Sequence, residues 1–316
     1  MDKNKKIYIA GHKGMVGSAI WRQLLSNGYT NLIGKSSKEL DLRNQLAVKE
    51  FFEQEQPDVV IDAAARVGGI LANNSFPYQF LMENMQIQNN LIDNSLQSNV
   101  DKFIFLGSSC IYPKLAPQPL REEYLLTDSL EPTNEWYAVA KITGIKSCEA
   151  IRKQFNKDYV SLMPTNLYGT YDNFDLNTSH VLPAMIRKFH EAKVNNNTPV
   201  TLWGSGTPLR EFLFVDDMAA SVIFALENKL PEHLYNVGTG EDLTIKALAE
   251  LIQSIVGHTG DIIWDSEKPD GTPRKLMDIS KMHALGWKHK IGLSEGIQQT
   301  YQWFLENQDN FKEVKI

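Results

Sequence analysis

Residues 7–10, Ile-Tyr-Ile-Ala, form a short apolar run that leads straight into Gly11-His12-Lys13-Gly14-Met15-Val16-Gly17. An amphipathic stretch follows over 18–25 and closes at Asn27-Gly28, a reasonable helix stop. Strand, glycine-rich turn and helix in immediate succession is the context in which such a loop cradles a pyrophosphate. Glycines let the backbone approach the phosphates, and the helix start offers free N–H groups and the positive end of its dipole. The spacing is G-x-x-G-x-x-G, one residue longer than the G-x-G-x-x-G fingerprint. A tight strand-to-helix turn without a ligand would use the same glycines, so the loop needs support from the rest of the chain.

That support comes from repetition. Apolar runs at 31–34, 58–65, 102–109 and 159–164 alternate with helical stretches, among them residues 80–96. Alternation of this kind predicts a parallel, doubly wound α/β sheet, in which ligands bind beyond the carboxyl ends of the strands. The notable residues fall there: the glycine loop after the first strand, Ala63-Ala64-Ala65 after the third, Ser108-Ser109-Cys110 after the fourth, and Pro164-Thr165-Asn166 after the fifth. Beyond Tyr168-Gly169 the character changes. A polar stretch over 172–179 precedes a helical stretch over 181–192 and two turn-rich segments, 203–210 and 268–275. These read as a smaller, mixed α/β domain. Residues 1–167 are expected to form the dinucleotide-binding domain, with parts of about 210–240 returning to it, and 168–316 the substrate domain.

Between the last two strands lies Glu135-Trp136-Tyr137-Ala138-Val139-Ala140-Lys141. Tyr137 and Lys141, four apart, share one face of a helix. An ammonium held near a phenol favours the phenolate and lowers its pKa toward the working range, so the pair is a plausible acid/base device for chemistry at a carbonyl carbon. After the second strand, where an NAD-specific fold places an acid for the ribose hydroxyl, stand Lys35-Ser36-Ser37-Lys38; with Lys13 they would welcome a 2′-phosphate. Arg187, Lys188, Arg210 and the cations of 268–275 suggest a pocket for a phosphorylated substrate.

Bulk properties narrow the classes. The chain has 316 residues, 42% hydrophobic and 22% charged, with a formal net charge of −6. That balance argues against a nucleic-acid or anionic-membrane surface. No apolar run is long enough to span a bilayer, and the charged first six residues do not form a signal peptide. Two cysteines, Cys110 and Cys148, make no disulfide framework, and no Cys/His cluster has zinc spacing, so no metal is expected. A reducing, cytoplasmic setting fits best.

The chain resembles the extended short-chain dehydrogenase/reductase family, and within it the epimerase-reductases acting on GDP-4-keto-6-deoxy-mannose. The resemblance runs nearly the whole length. Its carriers are Ala10-Gly-His-Lys-Gly-Met-Val-Gly17, Val67-Gly-Gly-Ile-Leu-Ala-Asn-Asn74, Leu106-Gly-Ser-Ser-Cys-Ile-Tyr-Pro-Lys114, Glu131-Pro-Thr-Asn-Glu135, Met163-Pro-Thr-Asn-Leu-Tyr-Gly169, Ser179-His180 and Trp203-Gly-Ser-Gly-Thr-Pro-Leu-Arg-Glu-Phe212. It implies Ser108, Tyr137 and Lys141 as a reductase triad, with Cys110 and His180 as base and acid for epimerisation at C3 and C5. It implies an NADP(H) site along Gly11, His12, Lys13, Gly14, Met15, Val16 and Gly17, and at Ser37, Lys38, Asp41, Leu42 and Ala64. That site continues along Leu106, Gly107, Ser108 and Ser109 and ends on Lys141, Pro164, Thr165, Asn166, Leu167 and His180. Lys188, Trp203, Arg210 and Asp270 would hold the GDP-sugar. Relatives pair two long helices from each subunit, which implies a two-fold homodimer through 80–96 and 136–154. The family often has Arg where this chain has Lys13 and Lys188, and an Arg near Ser37-Lys38. Other readings on the same fold are an NAD-retaining nucleotide-sugar 4-epimerase, a 4,6-dehydratase, or a non-catalytic NADP-sensing module.

Overall fold

The structure, a computed structural model, describes residues 1–308 except Asn177 and Pro269, and for Ile70 and Leu71 the backbone alone. Its first half runs β1 (Ile7–Ala10), α1 (Met15–Ser26), β2 (Leu32–Ile33), α2 (Gln45–Glu55), β3 (Val59–Asp62), α3 (Ile70–Ser75), α4 (Pro77–Gln97), β4 (Lys102–Leu106), α5 (Glu135–Phe155) and β5 (Asp158–Pro164). The second half runs β6 (Asn166–Tyr168), α6 (Val181–Val194), β7 (Val200–Trp203), β8 (Leu209–Arg210), β9 (Phe212–Phe214), α7 (Val215–Glu227) and β10 (Leu234–Val237). It ends with β11 (Leu243–Thr244), α8 (Ile245–Val256), β12 (Ile262–Asp265), β13 (Arg274–Lys275), α9 (Ser280–Ala284) and α10 (Leu293–Glu306).

Six strands form one sheet in the order β10-β5-β4-β3-β1-β2, every pair parallel. The chain moves outward from β1 to β2, then returns past β1 to β3. Strand order therefore reverses between β1 and β3, the crevice where doubly wound sheets hold ligands. Helices cover both faces, which is why the inner strands are continuously apolar rather than alternating. On one face Ile7, Ile9, Ile61, Ile104 and Leu162 pack with Ala19 and Ile20 of α1 and Met218 and Val222 of α7. On the other, Tyr8, Val60, Phe103, Phe105 and Tyr159 pack with Phe51 and Phe52 of α2, Leu91 of α4 and Ile145 and Cys148 of α5.

Local chemistry sets the ends of these elements. The Asn44 side chain accepts from the Ala47 N–H to start α2, and the Thr244 hydroxyl does the same for α8 through Ala247. Asn156 takes the left-handed conformation that ends α5. Gly144, inside α5, decides how close that helix comes to the sheet: a Cβ there would lie 2.4 Å from the Phe105 ring. The missing side chain lets α5 settle onto β4 and brings Lys141 down to the strand end.

After β5 the smaller sheets begin. β6 pairs with β9, β7 with β12, and β8 lies between β11 and β13. Phe174, Ile186, Phe189, Leu248, Ile252 and Phe304 make a third apolar cluster under α6, α8 and α10. Burying a side chain such as Phe189 is worth roughly 1.5–3 kcal/mol, so this cluster is a sizeable core of its own. Glu211 joins it to the main sheet. Its carboxylate is fully buried and accepts from the backbone N–H groups of Thr239 (2.6 Å), Gly240 (2.8 Å) and Met277 (2.8 Å). Among the described residues no helix is long and apolar enough to cross a membrane.

Candidate active site

The glycine loop sits at the reversal point. Gly11 has φ +77° and lies so close to the end of β3 that a Cβ would stand 2.6 Å from the Ala63 carbonyl oxygen. At Gly17 a Cβ would stand 2.2 Å from the Gly11 carbonyl oxygen, so α1 and the loop can touch only as glycines. α1 starts at Gly14 with no side chain capping it and no acid in its first turn. Its first N–H groups therefore remain for an anion, and the cradle fits a dinucleotide pyrophosphate. His12 packs its ring 5.5 Å from Trp21 and fills the space beside Gly34.

Ser37 and Lys38 are exposed beyond β2. Their neighbour Glu39 accepts from Ser36 through N–H (2.8 Å) and hydroxyl (2.5 Å). These bonds hold its carboxyl below the usual range, with Lys13 and Lys35 adding to the effect. The edge where a 2′-phosphate would rest thus already carries one carboxylate. Asp41 is engaged by the Arg43 guanidinium at 2.9 Å on both oxygens, and the Leu42 carbonyl accepts from Asn90 at 2.8 Å. Ala64 donates its N–H to Asp62 at 3.1 Å.

At the end of β4, Gly107 donates to the Leu162 carbonyl at 2.9 Å, and a Cβ there would overlap Met163. Ser108 caps a 3-10 turn, Ser109–Ile111, its hydroxyl accepting from the Cys110 N–H at 3.4 Å. From α5, Lys141 is 3% exposed and donates to the Leu106 carbonyl at 2.9 Å. Its ammonium lies 4.7 Å from the Phe105 ring centre and 5.9 Å from that of Tyr137. Tyr137 meets Phe80 edge-on at 6.3 Å. The spacing argument for a lowered phenol pKa does not hold here. Burial pushes the Tyr137 phenol up, and Cys110 and Asp62 push it further, while Lys141 spends its hydrogen bond on Leu106. On the last strand end, Thr165 donates its N–H to Val237 (3.0 Å). The side chains of Thr165 and Asn166 donate to the Glu211 carbonyl (3.2 and 2.7 Å), with Pro164 and Leu167 flanking them.

Cys110 is buried and shares a small pocket with Glu131, Asn134 and Lys275. Burial pushes its thiol up; Lys275, Ser108 and Lys141 pull the other way. His180 stands just before α6 without capping it, and keeps more than a third of its surface open. The protein crowded around it pushes the imidazole below its ordinary range, with Lys275 adding to the shift. Lys275 is thus within electrostatic reach of both Cys110 and His180. Sequence reasoning placed Lys275 only among general cations, because no local pattern joins β13 to the turn after β4.

The substrate-side residues lie on the small sheets. Lys188 on α6 donates to the Thr201 carbonyl at 3.1 Å, and Trp203 at the end of β7 is largely exposed. Arg210 on β8 pairs in register with Lys275. Burial pushes its guanidinium down and Asp270 offsets that. Asp270 accepts from the Ser205 N–H at 2.7 Å and hydroxyl at 2.8 Å, tying the two turn-rich segments together. Pro269, in the second of them, is outside the described residues.

Comparison with known proteins agrees with this architecture. GDP-L-fucose synthase 1 of Arabidopsis thaliana is 56% identical, over 97% of this chain and 95% of its own. GDP-L-fucose synthase of Escherichia coli K12 is 54% identical, over 98% and 99%. A gdp-l-fucose synthetase from Naegleria fowleri, solved bound to NADP, superposes with a TM-score of 0.91 at 29% identity, covering 99% of this chain and 96% of that one. Residues 7–238 match the model of the NAD dependent epimerase/dehydratase family, and the chain belongs to that family.

Proposed function

We propose that this chain converts GDP-4-keto-6-deoxy-D-mannose to GDP-L-fucose, inverting C3 and C5 and then reducing C4 with NADPH. The observation that carries this reading is the likeness, over nearly the full length, to GDP-L-fucose synthases. The grouping of Ser108, Cys110, Tyr137 and Lys141 around one strand end agrees with it.

A 4-keto group acidifies the hydrogens on C3 and C5. Cys110 and His180 move those protons, one as base and the other as acid, and Lys275 favours loss of the Cys110 proton by offsetting its burial. Tyr137 gives its proton to the C4 oxygen while Ser108 hydrogen-bonds that oxygen. Lys141 steadies the phenol and would hold the cofactor's nicotinamide ribose. When bound, NADPH supplies the hydrogen and electrons that reduce C4. The cradle from Gly11 to Gly17, the strand-end residues 106–109 and 164–167, and Ser37, Lys38, Asp41, Leu42 and Ala64 hold the cofactor. Lys188, Trp203, Arg210 and Asp270 hold the GDP-sugar. Residues 1–167, with about 210–240, form the cofactor half, and 168–316 mainly the sugar half.

Two chains pair through α4 and α5, where Met82, Met85, Trp136 and Val139 keep apolar surface open. The two buried free cysteines suit a reducing, cytoplasmic setting. The test is to incubate the protein with NADPH and the ketosugar and follow the nicotinamide absorbance. Turnover is expected, and Tyr137→Phe lowers it by about two to four orders of magnitude, the usual worth of a general acid. Absence of turnover, or a Phe variant near wild type, would refute the assignment.

A further inference from the structure

The reductase site contains a buried carboxylate that the mechanism above does not use. Asp62 is the last residue of β3, wholly inaccessible to solvent. One of its oxygens accepts from the Ala64 N–H; the other, also buried, has no hydrogen-bond partner among the described residues. Asp62 pairs in register with Ala10 of β1 and Phe105 of β4. Its side chain therefore points to the same face of the sheet as Phe105, the face covered by α5. The Lys141 ammonium sits over that same Phe105 ring. Nearby, on the same face of β1, the buried Tyr8 hydroxyl also lacks a hydrogen-bond partner among the described residues.

A buried ammonium with a single carbonyl acceptor is costly to keep charged. Burial pushes Lys141 down, and two groups push it back up, Asp62 first and Cys110 second. Burial also pushes the Cys110 thiol up, away from its charged form, and its influence on Lys141 is the smaller of the two. Asp62 has been pushed up to about 6, which leaves it ionised at pH 7. No ion pair within 4 Å joins it to Lys141 among the described residues, so Asp62 acts on Lys141 through its charge rather than through a hydrogen bond.

We propose that Asp62 is a positioning residue of the reductase site, its buried carboxylate being the counter-charge that keeps Lys141 an ammonium beside Tyr137. The inference rests on the roles given above to Tyr137 and Lys141. Asp62's ionisable neighbours are Tyr8 on β1 and Tyr137, Lys141 and Cys148 on α5, and of these only Lys141 is a cation. A buried acid kept for its own sake would be a poor choice in a strand this apolar. Opposite Lys141 it has a use.

Asp62→Asn keeps shape and removes charge. With the ketosugar and NADPH, kcat at pH 7 is expected to fall about tenfold, because less of Lys141 stays charged beside Tyr137, with KM changed less than about twofold. The alkaline limb of the kcat profile, where Lys141 loses its proton, is expected to lie at lower pH in the variant than in wild type. Wild-type kcat and pH profile in Asp62→Asn, or a loss equal at every pH with the limb unmoved, would overturn the proposal. A second arm needs no substrate and so survives failure of the functional reading. Melting temperatures are measured for Asp62→Asn alone and in a Lys141→Met background. The substitution is expected to lower the melting temperature with lysine present, by stranding its charge. It raises it with methionine present, by removing a stranded carboxylate. Equal shifts in both backgrounds would show that the two residues do not act as a pair.

Discussion

Glu211→Gln separates the joining of the two halves from the chemistry. One carboxylate oxygen of Glu211 accepts from Thr239 N–H, Gly240 N–H and the Thr239 hydroxyl; the other accepts from Met277 N–H. A glutamine has one acceptor, and its cheapest orientation turns the amide nitrogen toward Met277. That forfeits one hydrogen bond to a charged acceptor, worth roughly 1.5–3 kcal/mol, and sets two buried donors against each other. Relief of a carboxylate buried in the protein offsets part of the loss. A net cost of about 2 kcal/mol is expected. It should appear in urea unfolding as a lower midpoint with an unchanged slope. The damage is local to β8 and β13, because Arg210 precedes Glu211 and Lys275 lies two residues before Met277. Binding of GDP is therefore expected to weaken about three- to tenfold, while the dissociation constant for NADPH stays within about twofold. A variant that unfolds and binds GDP like wild type would refute the view that Glu211 sets the spacing of these strands.

Cofactor choice follows from Lys13, Lys35 and Lys38: NADPH is expected to bind about three- to tenfold better than NADH at moderate salt, with Glu39 holding the ratio down. Glu39→Gln should widen that ratio. Equal dissociation constants by fluorescence titration would show that these lysines only face solvent. Light scattering at micromolar concentration is expected to report a dimer, and Trp136→Glu a monomer; a monomeric wild type would refute pairing through α4 and α5.

Much of the fold was legible because its signals are local. The expected alternation of strands and helices is present, and the helical stretch over 181–192 is α6, Val181–Val194. Strand ends were placed too late. The run 58–65 stops as a strand at Asp62, because Ala64 turns its N–H back to the Asp62 carboxylate. The run 102–109 stops at Leu106, where Ser108 begins the turn that displays Cys110. Both corrections place the ligand-side residues in loops, where a doubly wound sheet keeps them. The Tyr137–Lys141 spacing gave their shared face but not their environment: how deep α5 lies was decided by Gly144 against Phe105. Three features carry no local signal, since tertiary contacts make each of them. They are Lys275 sharing a pocket with Cys110, Asp62 and Lys141 meeting at Phe105, and the Glu211 carboxylate holding two other backbone segments, 239–240 and 277.

The most direct test of the account follows the ring protons rather than the cofactor. The ketosugar is incubated in deuterated water with wild type or Cys110→Ser, with oxidised or absent cofactor, and label at C3 and C5 is read by mass spectrometry. Serine keeps the shape near the Ser108 hydroxyl but is a far weaker acid than a thiol. Wild type is expected to take label at both carbons without reduction, and Cys110→Ser to take little while still binding NADPH. If the variant exchanges both positions at the wild-type rate, Cys110 is a packing residue and the proton chemistry assigned to it is wrong.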